Sequence, residues 1–420
     1  MDSMKQRVAV IGQGYVGLPL ALTAVRAGHV VFGVENSDAR ARRLAASSSY
    51  IDDVSDRDLR EAHESGRYSV VSDTTELREL DVVVITVPTP LDGEGRPDLR
   101  FVLASIGGLR NALHSRATVV VESTTFPGTT EEIIGPVLER VTGRRIGSSL
   151  HLGFSPERVD PGNPAHDARS TPKLVSGVTS ACLDEIRGFY ASLGIPTVDV
   201  SGTREAEFAK LLENTFRLVN IGLVNELAEY GHKRGIDVRE AIRAASTKPF
   251  GYMAFSPGPG VGGHCIPIDP HYLAWDANAS AGMGLDLVES AYRVNERRPD
   301  YIAGVVSAHL DHHGAGAVVI VIGAAYKPGI ADVRESPAIS VVAGLRARGH
   351  EVVVYDPVVG DGDLGDIRVH GRLSDEDIRR AAIAVLVTDH GENDYSRLQQ
   401  AGVPIIDTRG RLGRSALVTL

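Results

Sequence analysis

Residues 7–37 read RVAVIGQGYVGLPLALTAVRAGHVVFGVENS. A short apolar run, a glycine turn, an apolar helical stretch and a second apolar run ending in an acidic residue follow one another, the order of a strand–turn–helix–strand unit. Gly12-Gln13-Gly14-Tyr15-Val16-Gly17 spells G-x-G-x-x-G where the strand gives way to the helix. Glycines there let a pyrophosphate approach the helix N-terminus. Glu35 stands 18 residues past Gly17, near the spacing of about 20 for a carboxylate that accepts from the adenosine ribose and repels a 2′-phosphate. NAD, rather than NADP, is the expected cofactor.

Further along, DVVVITVPTP (81–90) and ATVVVESTTFPG (117–128) are β-branched runs stopped by proline or glycine, as buried parallel strands are. From Thr203 to about Arg234 the pattern becomes one long helix, with Thr203 as its expected N-cap and Gly231 or Gly235 as its stop. More helix is expected as far as His313, broken by a glycine-rich stretch. AVVIVIGAAYKPG (317–329) and RARGHEVVVYDP (346–357) then repeat the opening unit, with Asp356 in the place of Glu35. The second fingerprint is degenerate, because GAAYKPG does not fit G-x-G-x-x-G. The expected fold is α/β: two Rossmann-like, doubly wound parallel-sheet domains joined by a long central helix and a helical middle domain. The expected boundaries are 1–200 for an NAD-binding domain, 201–313 for a helical dimerisation domain and 314–420 for a second nucleotide-type domain.

At 420 residues the chain needs more than one core. Its net charge of -10 argues against a nucleic-acid or anionic-membrane binder. Two cysteines cannot make a disulfide framework, and neither a membrane span nor a signal-peptide cleavage region is apparent. A cytoplasmic enzyme with no metal is expected.

One of those cysteines, Cys265, sits in GPGVGGHCIPIDP (258–270). The exposed amides of a glycine-rich turn are one means of lowering a thiol pKa. Neighbouring side chains of an extended chain point apart, so the adjacent His264 is a poor base for that thiol. Cys182, on an amphipathic helix, is most simply a small core residue. Lys210 and Asn214, four apart, share a helix face; they read either as ordinary solvated residues or as two donors aimed at a developing oxyanion. A nicotinamide cofactor with a nucleophilic cysteine suggests oxidation beyond the aldehyde, since an aldehyde carbon must first gain a fourth substituent. Asp269 and Glu157 are candidates to handle protons and water.

The ordered motifs GQGYVGLPLA, VPTPLD, ESTTFPGTTEE, FSPERVDPGN, AKLLENTFRLVNIGLVNE, GPGVGGHCIPIDP and GAAYKPGIADVRESPA resemble the UDP-glucose/GDP-mannose dehydrogenase family over essentially the whole chain. The resemblance implies a four-electron, NAD-dependent oxidation of a nucleotide sugar's C6 alcohol, in a homodimer built on the central helix. It implies Cys265 as nucleophile, Lys210 and Asn214 as oxyanion donors, Asp269 and Thr124 as a water-positioning pair, and Glu157 as acid/base. It places Gly12, Gly14, Tyr15, Val16, Gly17, Glu35, Pro88, Thr89 and Thr124 around NAD, with Arg334 nearby. Glu157, Arg158, Lys210, Asn214, Phe255, Gly262, Lys327 and Arg409 would meet the UDP-sugar.

Within the family, SPERVDPGN and KPFGYMAFSPGPGVGGHCIPIDPHYL resemble the UDP-N-acetylglucosamine 6-dehydrogenase branch. Ile268 stands where the UDP-glucose branch carries a lysine before its catalytic aspartate. UDP-N-acetylmannosamine and UDP-glucose are the alternative substrates. A two-electron hydroxy-acid dehydrogenase would leave Cys265 without a purpose, and an NAD-using nucleotide-sugar epimerase would not need a thiol. A catalytically silent nucleotide-sugar binder would need none of Cys265, Lys210, Asn214 and Asp269.

Overall fold

The computed structural model describes residues 5–51, 53–158, 171–310, 316–391, 393 and 395–420. The expected boundary near residue 313, and the part of FSPERVDPGN beyond Arg158, lie outside them. The chain forms two compact units, Met1–Glu213 with His271–Gly282, and Asn214–Pro270 with Met283–Leu420.

The first unit holds an eight-stranded sheet: β1 (Arg7–Ile11), β2 (Val30–Val34), β3 (Tyr68–Val71), β4 (Leu80–Ile85), β5 (Leu113–Val121), β6 (Leu150–Phe154), β7 (Lys173–Gly177) and β8 (Thr197–Asp199). Its order is β3-β2-β1-β4-β5-β6-β7-β8. Strands β1 to β6 are parallel, so their C-terminal ends share one edge. The order reverses between β1 and β4, the switch point at which open α/β sheets bind ligands. Alternate residues serve opposite faces: Val8 and Val10 pack with Leu18, Ile186 and Tyr190, while Ala9 and Ile11 pack with Val83, Val119 and Phe154. A sheet buried on both faces accounts for the unbroken apolar runs. One strand departs from the expected parallel pattern. β7 runs antiparallel to β6, with Gly153 opposite Gly177 and Phe154 opposite Ser176.

The second unit has seven strands: β9 (Val318–Ile322), β10 (Glu351–Tyr355), β11 (Gly362–Leu364), β12 (Ile367–His370), β13 (Ala381–Leu386), β14 (Ile405–Asp407) and β15 (Val418–Thr419). Their order is β11-β12-β10-β9-β13-β14-β15, parallel except for the β11–β12 hairpin. The helix Asp286–His309 supplies Ile302 and Val306 to one face, against Val319 and Val321. The echo of the first unit extends to Asp356, directly after β10, but with a different use. Its carboxylate accepts from Ala324 N (2.7 Å), Ala325 N (2.9 Å), Val358 N and Val359 N (both 2.9 Å) and pairs with His390 Nε2 at 2.9 Å. The residue that would face a ribose instead ties down the degenerate glycine turn.

The central helix runs Thr203–Arg234. Thr203 is its first residue rather than its cap, and its hydroxyl donates to Glu131 Oε1 at 2.8 Å. Gly235, at φ +67°, ends it. Gly231 lies inside the helix, and a Cβ there would lie 2.1 Å from Val238 Cγ2, so close packing and not a stop requires the glycine. No helix among the described residues is long and apolar enough to cross a membrane.

Burial alone would raise the Asp356 pKa, but the bonds from His390, Ala325 and Val359 hold it at about 2. A depressed carboxylate contributes stability above its unfolded pKa and loses it as pH falls through the folded value. Thermal unfolding between about pH 4 and pH 2 is therefore expected to lose about 2 kcal/mol through this group. Asp356→Asn should lower the melting temperature at neutral pH and flatten that acid limb.

Candidate active site

At the switch-point edge, Gly12 adopts φ +96°, and a Cβ on it would lie 2.8 Å from the Thr86 carbonyl oxygen. A Cβ on Gly17 would lie 1.9 Å from Gly12 O. Around Gly14 nothing lies within 4 Å of a Cβ, so open space faces the start of the helix Gly17–Arg26. Tyr15 and Val16 complete the turn, both half-buried. The Gln13 side chain turns back into the sheet, taking Tyr68 OH at 2.8 Å and donating to Val10 O at 2.9 Å. Glu35, at the end of β2, accepts from Ser37 N (2.9 Å) and Tyr50 OH (3.3 Å). Each carboxylate oxygen has more than one acceptor site, so capacity for a ribose diol remains. An open cradle at a helix N-terminus with a carboxylate at the next strand end fits a dinucleotide.

The ends of β4, β5 and β6 continue this edge. Pro88 is exposed, and Thr89 is buried with its carbonyl accepting Tyr272 OH at 2.9 Å. Thr124 follows β5, half-buried. The loop after it is held by Glu207 of the central helix, which accepts from Thr125 Oγ1 (3.1 Å), Gly128 N (2.7 Å), Thr130 N (2.9 Å) and Thr130 Oγ1 (2.6 Å). Burial pushes the Glu207 carboxyl up to about 7 against these bonds. One turn on, Lys210 donates to the backbone oxygen of Glu157 at 2.7 Å. Two of the expected site residues are thereby joined. The Glu157 carboxylate takes Lys173 Nζ at 3.1 Å, and Arg158 pairs with Glu213 at 2.7 Å.

In the second unit, Asn214 Nδ2 donates to Asp269 Oδ2 at 2.5 Å, both residues buried. Lys210 and Asn214 stand one turn apart on the same helix face. Cys265 is exposed, and its carbonyl accepts Asp269 N at 2.8 Å where the helix Asp269–Ala281 begins. The Cys265 main chain thus stands at a helix N-terminus, a setting whose dipole favours thiolate. The bareness of its loop has a steric cause. A Cβ on Gly263 would lie 2.7 Å from the Tyr326 ring, and one on Gly262 would lie 2.7 Å from Glu335 O. Gly263 N donates to Arg334 O at 3.0 Å, and Val261 and Ile266 pack with Leu218 and Tyr292. Upstream, Gly258 is held at both ends of its peptide, by Asn225 Oδ1 (2.8 Å) and by Arg298 Nε (3.0 Å). His264, half-buried, has its pKa lowered by burial and by Arg334. Cys182 is fully buried in the first unit, as expected.

The other expected substrate and cofactor residues are also placed within the second unit. Phe255 meets Phe216 edge-on at 5.7 Å between centroids. Lys327 lies half-buried in the turn after β9. Arg409 donates to Val387 O at 2.6 Å, and Arg334 forks onto Asp332. Residues that sequence reasoning missed include Glu207, Lys173, Glu122, Tyr50, Asn225 and Arg298. A lysine inside the apolar run PKLVSG and a glutamate three residues before Lys210 were the only local signals.

Residues 6–194, 204–297 and 320–414 match, in order, the NAD binding, central and UDP binding domains of the UDP-glucose/GDP-mannose dehydrogenase family. The chain is 35% identical over 391 residues to the UDP-N-acetyl-D-mannosamine dehydrogenase of Pyrococcus horikoshii, covering 92% of this chain and 90% of that one. It is 35% identical over 361 residues to the UDP-N-acetyl-D-glucosamine 6-dehydrogenase of Pseudomonas aeruginosa, covering 85% and 84%. The solved structure of UDP-D-ManNAc dehydrogenase from Pyrococcus horikoshii aligns with a TM-score of 0.88 at 32% identity, over 99% of this chain and 98% of that one. The fold and the cofactor cradle define an NAD-dependent oxidoreductase. The chain belongs to the UDP-glucose/GDP-mannose dehydrogenase family of nucleotide-sugar dehydrogenases.

The glycine geometry separates two effects. Gly14→Ala should leave the melting temperature unchanged yet weaken NAD binding about tenfold or more in a fluorescence titration, because the methyl enters the cradle. Gly17→Ala should cost both binding and stability.

Glu207 titrates with the opposite sign to Asp356. Its folded pKa is raised, so its contribution is present below about 4.5 and is lost as pH rises through about 7, a change of up to about 3 kcal/mol. Glu207→Gln should remove that slope in unfolding free energy against pH.

Proposed function

We propose that this enzyme carries out a four-electron oxidation of the C6 alcohol of a UDP-sugar, UDP-N-acetylglucosamine, to the UDP-uronic acid. The observation that carries the reading is Cys265: an exposed thiol at a helix start, four residues from a buried Asp269 bonded to Asn214. A simple alcohol dehydrogenase has no use for such a thiol.

Gly12, Gly14, Tyr15, Val16, Gly17, Glu35, Pro88, Thr89 and Thr124, with Arg334 beside them, would hold NAD, two molecules of which, bound in turn, would accept the two hydrides of the four-electron oxidation. After the alcohol becomes an aldehyde, Cys265 Sγ bonds to the carbonyl carbon and a proton reaches the oxygen, giving a thiohemiacetal. Lys210 and Asn214 donate to that oxygen while it carries charge. An amide nitrogen has two hydrogens, so Asn214 can do this while keeping its bond to Asp269. Oxidation of the thiohemiacetal leaves a thioester. Asp269 and Thr124 position the water that cleaves it, with Glu157 moving the proton, and the acid and the thiol are released.

Arg158, Phe255, Gly262, Lys327 and Arg409 recognise the UDP-sugar, the last two as local positive charge in an acidic chain. Residues 1–200 hold the cofactor, 201–313 carry the thiol and the dimer contact, and 314–420 hold the UDP moiety. A homodimer through the central helix is supported by Phe208, Leu212, Phe216, Leu223, Leu227 and Tyr230, apolar side chains exposed along that helix. UDP-N-acetylmannosamine is the second reading, favoured by the Pyrococcus relative named for it.

The test is NADH released per sugar, for the native enzyme and for Cys265→Ser, with UDP-N-acetylglucosamine, UDP-N-acetylmannosamine and UDP-glucose. About two NADH per UDP-N-acetylglucosamine, lost in the serine variant, is the expected result. Two from another sugar would move the substrate. About one NADH per sugar in the native enzyme would sink the thioester route.

A further inference from the structure

Behind Glu157 lies a buried ionic cluster that the reaction as described does not use. Lys173, at the start of β7, is 6% exposed. Its ammonium lies 3.1 Å from Glu157 Oε2, 3.1 Å from Glu122 Oε2 and 3.4 Å from the Pro156 carbonyl oxygen. It also sits 5.4 Å from the centre of the Tyr190 ring. The Glu122 side chain has no exposed surface, and its other oxygen accepts the Tyr190 hydroxyl. Glu157 therefore has one carboxylate oxygen on Lys173, the other on Arg158 N at 2.8 Å, and its backbone oxygen on Lys210.

Stability does not account for this arrangement. Removing a lysine and a glutamate from water costs several kcal/mol per ion, and a buried pair is often no better than well-packed apolar residues. β7 is otherwise apolar at this point, with Leu174 and Val175 buried beside the lysine. The cluster is polarised along a line: Tyr190 and Glu122 at the buried end, Lys173 between, and Glu157, its side chain 23% exposed, at the sheet edge. Burial works against the charge on Lys173 and raises the Glu122 carboxyl, yet Glu122 and Glu157 together hold the ammonium above its ordinary range.

We propose that Lys173 is a positioning residue for Glu157, keeping its carboxylate ionised and aimed out of the sheet edge, with Glu122 as the buried counter-charge that anchors the lysine. The inference rests on Glu157 acting as the acid/base group. Glu157 then begins turnover as a proton acceptor. Among the described residues, the charged groups around it are Lys173 from β7, Glu122 from the end of β5, Lys210 and Glu213 from the central helix, and Arg158, whose guanidinium is turned onto Glu213. Tyr190 faces the cluster from the helix Ser180–Ser192.

The signs of two substitutions follow and are opposite. Lys173→Met removes the cation beside Glu157 and should move the acid limb of the kcat–pH profile up by about one unit. kcat should fall by up to about tenfold on the acid limb and little at neutral pH, with NAD affinity and KM little changed. Glu122→Gln removes a like charge and should move the same limb down. Lys173→Arg should restore it toward the native position.

The experiment is the kcat–pH profile of NADH production by the full-length enzyme, with melting temperature and NAD affinity measured on each variant. Glu157→Gln serves as the reference. Opposite limb shifts for Lys173→Met and Glu122→Gln, both absent in the Glu157→Gln background, are the expected result. Limbs that stay in place while only melting temperatures change would overturn the proposal and make the cluster structural. Should Lys173→Met not fold, the downward shift in Glu122→Gln and the rescue by Lys173→Arg carry the same decision. A Glu157→Gln variant with native rate and limb would instead remove the acid/base reading, and the positioning role with it.

Discussion

A Cβ on Gly17 would stand 1.9 Å from the carbonyl oxygen of Gly12, so β1 can pass into its helix only through a main chain that touches itself. That contact points the helix N-terminus out of the sheet edge and leaves the flank of Gly14 open. Around it the parallel strands bring Glu35, Thr89, Thr124 and Glu157 to successive positions on one edge. Each is carried by the end of a different strand, so the sheet register alone sets their order. The second sheet repeats the plan but fills the corresponding place with Asp356 and His390. One copy of the motif offers its turn to a ligand, and the other locks it.

Glycine has a different role around Cys265. There the loop is bare because Tyr326 and the chain at Glu335 occupy the space that side chains would need. Hydrogen bonds donated by the loop to Asn225 Oδ1 and the Arg334 carbonyl, and by Arg298 to Gly258 O, hold it beside that packing. A loop fixed by buried polar groups has few alternatives, since each unpaired group costs free energy. Cys265 is thus carried by a turn held through its main chain as well as by the packing of Val261 and Ile266.

Much of this was legible in the chain because it is local. The spacing of Gly12, Gly14, Gly17 and Glu35 is a contiguous pattern, and so is the i,i+4 relation of Lys210 and Asn214. The repeat beginning at residue 317 could be read off without any knowledge of contacts. What escaped was non-local. Lys173 meets Glu122 and Glu157 across separate strands, Glu207 meets a loop some eighty residues earlier, and Gln13 occupies a position that the fingerprint leaves blank. None carries a periodic signature, and burial of a charged residue is invisible until its partner is known. The antiparallel β7 was missed for a related reason, since an apolar run does not state its direction.

Cys182 is sealed within the first unit and Cys265 is open to solvent, which gives the protein one addressable thiol. Helix-end electrostatics that favour thiolate also favour attack by peroxide, and the first product of that attack, a sulfenic acid, is reversible. With Cys182 buried, no neighbouring surface thiol stands ready to close a protective disulfide within the chain. Oxidation of Cys265 would therefore advance toward the irreversible sulfinic state unless an external thiol intervened. The same solitude makes Cys265 a site at which a single spectroscopic probe can be placed without engineering any other residue.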